Sequence, residues 1–251
     1  MKVAVLLSGL TRSCEHPAET FRRMFAGVEV DVFLHTWSLS AHMVGKSHAG
    51  ALLDSMEHDA ARLVKFFGLK NVQVDRLTDE MVAELRRGRS DVPESAVRTL
   101  CRAESTRRVF ELAERCVGYD LVVLTRPDVV YNARFADLAN RFVGQPKVVF
   151  APHLAGLRTG KEVLTKLEKK NPGSVCDWMH DFFNVADPET MAVVVGFGAT
   201  FLDVVDRFPL PSQPFLPDRA LAVYLKNICG LEVKDFNLPH GLQRADKVQF
   251  F

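Results

Sequence analysis

Through the first half of the chain, short apolar runs alternate with segments whose apolar residues recur every three or four positions. Residues 2–7 (KVAVLL), 30–34 (VDVFL) and 121–124 (LVVL) are the runs. Runs this short with little alternation predict strands buried on both faces, as in parallel sheets. Between them, residues 17–25 predict a short helix with Phe21, Met24 and Phe25 on one side. A longer helix is expected at about 49–67, where Leu52, Leu53, Met56, Ala60, Leu63, Val64 and Phe67 keep helical spacing and Gly68 supplies the stop. Residues 71–77 alternate as a strand, and Thr78 then offers an N-cap for a helix to Arg87. Residues 94–116 predict the longest helix, with Val97, Leu100, Cys101, Val109, Leu112 and Cys116 as its buried stripe and a solvated opposite face rich in arginine.

The second half is less regular. Strands are expected at 147–151, 181–185 and 232–236, the last closing the chain, and residues 159–174 read as a mobile flap. A helix starting at Pro188 is predicted to break at Gly196-Phe197-Gly198 and resume to Asp206. A proline-rich connector follows, and then a helix that Asp218 would cap. The pattern predicts one doubly wound α/β domain spanning 1–251, its carboxyl-terminal part more irregular.

In such sheets ligands bind just past the carboxyl ends of the strands. The three apolar runs end in Ser8-Gly9-Leu10-Thr11-Arg12-Ser13, in His35-Thr36-Trp37-Ser38 and in Thr125-Arg126-Pro127-Asp128. Each ending is also compatible with an ordinary strand terminus. Their recurrence at one edge is what suggests a site for a charged ligand. Arg12 could hold a pyrophosphate as a bidentate donor. His35 and Trp37 could form a flat face for a nucleobase or sugar ring, or simply pack in the core. Arg126 could neutralise phosphate while Asp128 carries a divalent cation or bonds a ribose. Pro127-Asp128 with Gln145-Pro146-Lys147 also imitates a PD…QxK nuclease core. Asp181, next to Phe182 and Phe183, is a candidate general base because partial desolvation raises a carboxyl pKa. His240 is a lone histidine in a turn.

Composition narrows the choice of chemistry. A net charge of +1 argues against a dedicated nucleic-acid binder. Five cysteines, odd in number, scattered and without a CxxC pair, argue against a disulfide framework or zinc site and fit a reducing compartment. The first apolar run is too short for a signal peptide, and no stretch reaches the roughly 20 apolar residues of a membrane span. A cytoplasmic location is therefore expected. One glycine stands where G-x-G-x-x-G needs three, and neither G-x-x-x-x-G-K-[ST] nor G-x-S-x-G occurs.

The motifs in combination resemble a group of GT-A-type glycosyltransferases associated with bacterial and large-virus surface polysaccharides. They are the opening strand K-V-A-V-L-L-S-G with Arg12 following, D-V-F-L-H-T-W at 31–37, Y-D-L-V-V-L-T-R-P-D at 119–128, and D-x-F-x-V-A-x-P-E-x-M at 181–191. The resemblance implies a GT-A-like, mainly parallel sheet and a nucleotide-sugar donor in the cleft at the strand ends. It divides the chain into a nucleotide-sugar-binding half (1–152) and an acceptor-side half (153–251). Ser8, Gly9, Arg12, His35 and Trp37 would hold the nucleotide, with Arg126 and Asp128 at the diphosphate. Asp181 would deprotonate the acceptor hydroxyl in an inverting transfer of a hexosyl or deoxyhexosyl group to a glycan or lipid-linked acceptor. The family usually carries D-x-D for Mn or Mg. Here Arg126 replaces the first aspartate, so a divalent metal, held by Asp128 and His240, and a metal-free site both stay open. A nucleotide-sugar-binding protein without catalysis is the alternative, and the nuclease a remoter one.

Overall fold

The computed structural model describes residues 1–9, 15–39, 60–152, 183–208, 217–236, 238, 240–244 and 247–250. Ten strands are described: β1 (Lys2–Ser8), β2 (Glu29–Leu39), β3 (Asn71–Leu77), β4 (Leu121–Thr125), β5 (Val129–Tyr131), β6 (Val148–Pro152), β7 (Phe183–Ala186), β8 (Glu232–Phe236), β9 (His240–Arg244) and β10 (Lys247–Phe250). The described α-helices are α1 (Glu15–Met24), α2 (Ala60–Phe67), α3 (Asp79–Leu85), α4 (Glu94–Leu112), α5 (Ala136–Ala139), α6 (Pro188–Arg207) and α7 (Pro217–Val223).

Seven strands form one sheet in the order β3-β2-β1-β4-β7-β6-β8. β1 pairs in parallel with β2 and with β4, and β2 with β3, while β7 runs against both of its neighbours. β10, β9 and β5 make a small second sheet. The apolar runs explain the layering. Alternate residues of β1 point to opposite faces, Val3, Val5 and Leu7 toward α1 and α2, Ala4 and Leu6 toward α4 and α6, and all five are 0% exposed. Each buried Val or Leu among them contributes about 1.5–3 kcal/mol by leaving water.

Most of the expected elements are present, but several differ: β2 runs to Leu39, five residues past its expected end, and α5 was not expected. The helix from Pro188 is not broken. It continues for 20 residues through Gly196 and Gly198, capped by the Asp187 side chain on the Thr190 N–H. The glycines serve contact instead: a β-carbon on Gly198 would lie 2.6 Å from Cβ of Ala103, so α4 and α6 cross where neither has bulk. The helix after Glu94 closes at Leu112 and is followed by a 3₁₀ turn, Glu114–Cys116. The strand at 232–236 is not the last, since β9 and β10 follow; β5 was also unannounced, its three residues being too short for a pattern. Residues 49–59 and the segment 159–174 lie outside the described residues.

Lys2, Asp31 and Tyr119, all within the recurring motifs, meet at the amino edge of the sheet. Tyr119 donates to Asp31 at 2.6 Å and Lys70 at 2.9 Å, and together they hold the Asp31 carboxyl below its usual range. Lys2 stands 3.5 Å from the same carboxylate. The motifs are therefore partly scaffold. Their opposite ends reach the carboxyl edge.

Candidate functional site

Register brings the predicted strand endings together. Ser8 lies opposite His35, and Leu7 opposite Thr125, so β1, β2 and β4 all end at one edge. β7 starts from that edge, with Phe183 opposite Thr125. The chain leaves β1 through Gly9, whose φ of +113° lies in the region that side chains disfavour. Its N–H donates to the Ser105 hydroxyl at 3.1 Å.

Arg126 and Asp128 are not spread apart but closed on each other. Nε of Arg126 donates to one carboxylate oxygen of Asp128 at 2.8 Å and a terminal nitrogen to the other at 2.5 Å. Asp128 is 3% exposed, whereas the Arg126 side chain keeps 21% of its surface in solvent. A buried carboxylate thus aims a guanidinium at the sheet edge, a geometry that fixes a bidentate donor in advance of a ligand. Just beyond, Thr125 and Tyr131 share a 2.5 Å hydroxyl–hydroxyl bond in the core, and burial pushes the Tyr131 phenol up.

His35 and Trp37 sit inside the molecule, 0% and 2% exposed, so neither ring offers a ligand the open face suggested by sequence. Trp37 donates to the Cys101 carbonyl at 2.9 Å, and the Arg108 guanidinium lies 5.0 Å from its ring centroid. Both ring nitrogens of His35 are engaged, Nδ1 with the Ser105 hydroxyl at 2.8 Å and Nε2 with Asp75 at 3.1 Å. Gln73 and Arg108 also donate to that Asp75 oxygen. Burial raises the Asp75 carboxyl, but the bonds from His35 and Arg108 outweigh it and leave the group below its usual range. Burial lowers the His35 imidazole, and the Asp75 bond offsets this only in part. With its proton on Nε2 a neutral imidazole donates to Asp75; Ser105 then gives its one proton either to Nδ1 or to the His35 carbonyl at 3.1 Å, and its oxygen accepts from Gly9 in both cases. His35, through Ser105, therefore positions the turn after β1 from behind, and Trp37 packs edge-on against the His35 ring.

Beside this network a cavity of about 50 Å³, open on one side, is bounded by α4, α6, α7 and the ends of β4 and β7. Leu124, Val194, Phe197 and Leu221 give it apolar walls, with Thr106 and Asn184 among its polar lining. Thr106 also bonds the Ser8 hydroxyl at 3.0 Å, tying the cavity to the end of β1. Asn184 is 1% exposed, and among the described residues its Oδ1 has no hydrogen-bond partner. Sequence reading missed Asn184, Thr106, Ser105 and Asp75. An asparagine inside the apolar stretch FFNVA was the available signal for the first, and adjacent hydroxyls on an arginine-rich helix for the next two. Asp75 carried none.

Arg12 and Asp181 lie outside the described residues. The backbone of His240 pairs with Tyr131, three residues past Asp128, or about 10 Å along the ladder at ~3.3 Å per residue. Among the described residues no donor set for a divalent cation is assembled: both Asp128 oxygens are held by Arg126, and no group of three potential ligands occurs. The nuclease arrangement is not assembled. Lys147 precedes β6 at the amino edge, at the opposite end of the sheet from Asp128, and Gln145 is bonded to Lys234 at 2.7 Å.

No protein-family model matches the chain, and no curated protein matches it in sequence. Solved structures do match in fold. The bifunctional glycosyltransferase WbbM (apo) is 14% identical with a TM-score of 0.50, over 94% of this chain and 38% of that one. Mouse xyloside xylosyltransferase 1 (apo) is 13% identical with a TM-score of 0.40, over 94% of this chain and 85% of its own. Galactosyltransferase LgtC, bound to donor and acceptor sugar analogues, is 11% identical with a TM-score of 0.46, over 90% and 70%. This chain thus spans well under half the length of WbbM. The likeness is one of fold, and the fold is GT-A-like: a mainly parallel sheet flanked by helices.

Proposed function

We propose that this chain is a glycosyltransferase that moves a hexosyl or deoxyhexosyl group from a nucleoside-diphosphate donor to a glycan or lipid-linked acceptor, in surface-polysaccharide synthesis. The observation that carries the reading is the Arg126–Asp128 pair: a preoriented guanidinium at the carboxyl end of β4, next to the Ser8–Gly9 turn and a mainly apolar cavity with a few polar groups in its lining. In transfer, the acceptor oxygen attacks the anomeric carbon as its bond to the β-phosphate oxygen breaks. The diphosphate leaves with increased negative charge, and a fixed guanidinium stabilises that charge in a poorly solvated site. Arg126 takes this role in place of a metal, and Asp128 orients it. Gly9 and Arg12 contact the nucleotide, while Ser8, buried with its hydroxyl on Thr106, and His35 hold the turn in place. Asp181 accepts the acceptor proton in an inverting displacement; residues 153–251 supply the acceptor side. A cytoplasmic location accords with Cys101, Cys116 and Cys229 being free thiols.

Asp128→Asn tests the site. Loss of the carboxylate frees the guanidinium to turn, and turnover in a donor-hydrolysis or transfer assay is expected to fall about 100-fold or more. The fold is expected to survive, because Arg126 is partly solvated; the stability cost is about 1–2 kcal/mol. Wild-type turnover in this variant removes the assignment. Donor binding with no turnover in the unmutated protein selects the non-catalytic reading.

A further inference from the structure

Asp128 takes the Arg126 guanidinium on both of its carboxylate oxygens, so the two side chains carry no net charge between them. A nucleotide-sugar diphosphate is dianionic, and becomes more so as it leaves. Arg126 can orient such a group, but a charge held at a poorly solvated edge is costly unless it is paired, which calls for further cations. The small sheet brings two toward this corner. β9 runs antiparallel to β5, with Leu242 opposite Val129, the residue after Asp128. From Leu242 the backbone of β9 continues in the direction of Asp128, and Arg244 stands two residues on, about 7 Å at ~3.4 Å per residue. β10 returns with Lys247 opposite Arg244. We propose that this end of the β9–β10 hairpin is a cationic arm of the diphosphate site, with Arg244 and Lys247 binding the phosphates; the inference rests on the glycosyltransferase reading and adds two residues to its site.

Register supplies a second argument. Residues directly opposite on antiparallel strands share a face of the sheet, and like charges in that position repel. Arg244 and Lys247 are such a pair, and Asp246 between them in sequence leaves the segment with a net positive charge. An anion bound between the two cations offsets their repulsion; an uncharged sugar does not. The residue types also suit phosphate, arginine as a planar fork of donors and lysine as a compact ammonium. Placement selects the diphosphate among the parts of the donor, because the arm approaches the residues that follow β4, where Arg126 stands. The same ladder that carries His240 away from Asp128 carries Arg244 toward it.

The test is isothermal titration of the full chain with UDP, GDP, dTDP and ADP, each in EDTA and in manganese and at low and high KCl. The unmutated protein is expected to bind at least one of them. In Arg244→Gln and in Lys247→Gln that affinity is expected to fall about tenfold, and its decline with KCl to become shallower, because one ion pair to phosphate is gone. The ligand-free melting temperature of each variant is expected to be no lower than that of the wild type, since either change relieves the repulsion; residues that only built the hairpin would not combine these results. Arg244→Lys, which keeps the charge, is expected to recover part of the lost affinity. Diphosphate affinity within twofold of wild type in both variants overturns the arm and leaves the transferase reading standing. Weaker binding accompanied by a lowered ligand-free melting temperature in both variants assigns the residues to the fold and overturns the arm as well. Failure of the unmutated protein to bind any of the four in either buffer overturns the arm and the transferase reading together.

Discussion

His35 marks the difference between a residue that stands near a ligand and one that holds the ligand's loop. Its ring is inaccessible, yet it connects Asp75 to Ser105 and, through Ser105, to the first backbone N–H after β1. Its protonation therefore couples to the fold. Burial keeps the folded imidazole below the ordinary value of 6.5. When pH falls through 6.5 the unfolded chain takes up a proton that the folded chain resists. Stability is thus complete above pH 6.5 and declines below it, by at most about 1.4 kcal/mol per pH unit for one proton. The carboxylates of Asp31, Asp75 and Glu104 are depressed, so their contribution disappears in a lower window, beneath their ordinary 3.8 to 4.5. Urea denaturation at pH 7.5 and 5.5 checks this. The wild type is expected to weaken at pH 5.5, and His35→Gln to show a smaller slope from a baseline lowered by about 2–3 kcal/mol. An equal slope in both proteins contradicts the assignment. Little of this was legible in sequence. The types His, Thr and Trp at a strand end fit both exposure and burial, and only α4 lying across β2 decides between them.

At the scale of elements the reading from sequence was better, because burial imposes its own pattern. Strands covered on both faces need continuous apolar runs, and β1, β2 and β4 show them. The helix α3 was recognisable by Thr78, whose side chain accepts from the Met81 N–H. Gly196 and Gly198 misled, since the same residue type that weakens a helix also permits another helix to come close. The consequence is testable. On an isolated helix Gly198→Ala is favourable by about 1 kcal/mol. Here the added carbon would lie 2.6 Å from Cβ of Ala103 and 3.4 Å from its backbone carbon, neither of which can swing away. The clash is expected to win, lowering stability by about 1–3 kcal/mol in thermal or chemical denaturation. A stabilised Gly198→Ala protein contradicts the close crossing of α4 and α6. The same helix, Pro188–Arg207, is long and apolar enough to cross a membrane, but half of its most apolar stretch is buried within the molecule.

For the whole molecule, topology does the chemical sorting. Parallel pairing of β1, β2 and β4 sends the Lys2–Asp31–Tyr119 cluster to one edge and the Ser8, His35 and Arg126 endings to the other. That segregation was foreseeable from three apolar runs with polar endings. The reversal of β7 was not, and it brings Asn184 into the site from a strand with no obvious chemical signature. The central claim is that Arg126, aimed by Asp128, supplies the positive charge for a nucleoside diphosphate. The measurement that addresses it most directly is a thermal-shift titration with UDP, GDP, CMP and dTDP, each in manganese and in EDTA. One diphosphate is expected to raise the melting temperature by the same amount under both conditions, since the counter-charge belongs to the protein. A shift that requires manganese contradicts the role given to Arg126, and no shift with any nucleotide contradicts the nucleotide-sugar site itself.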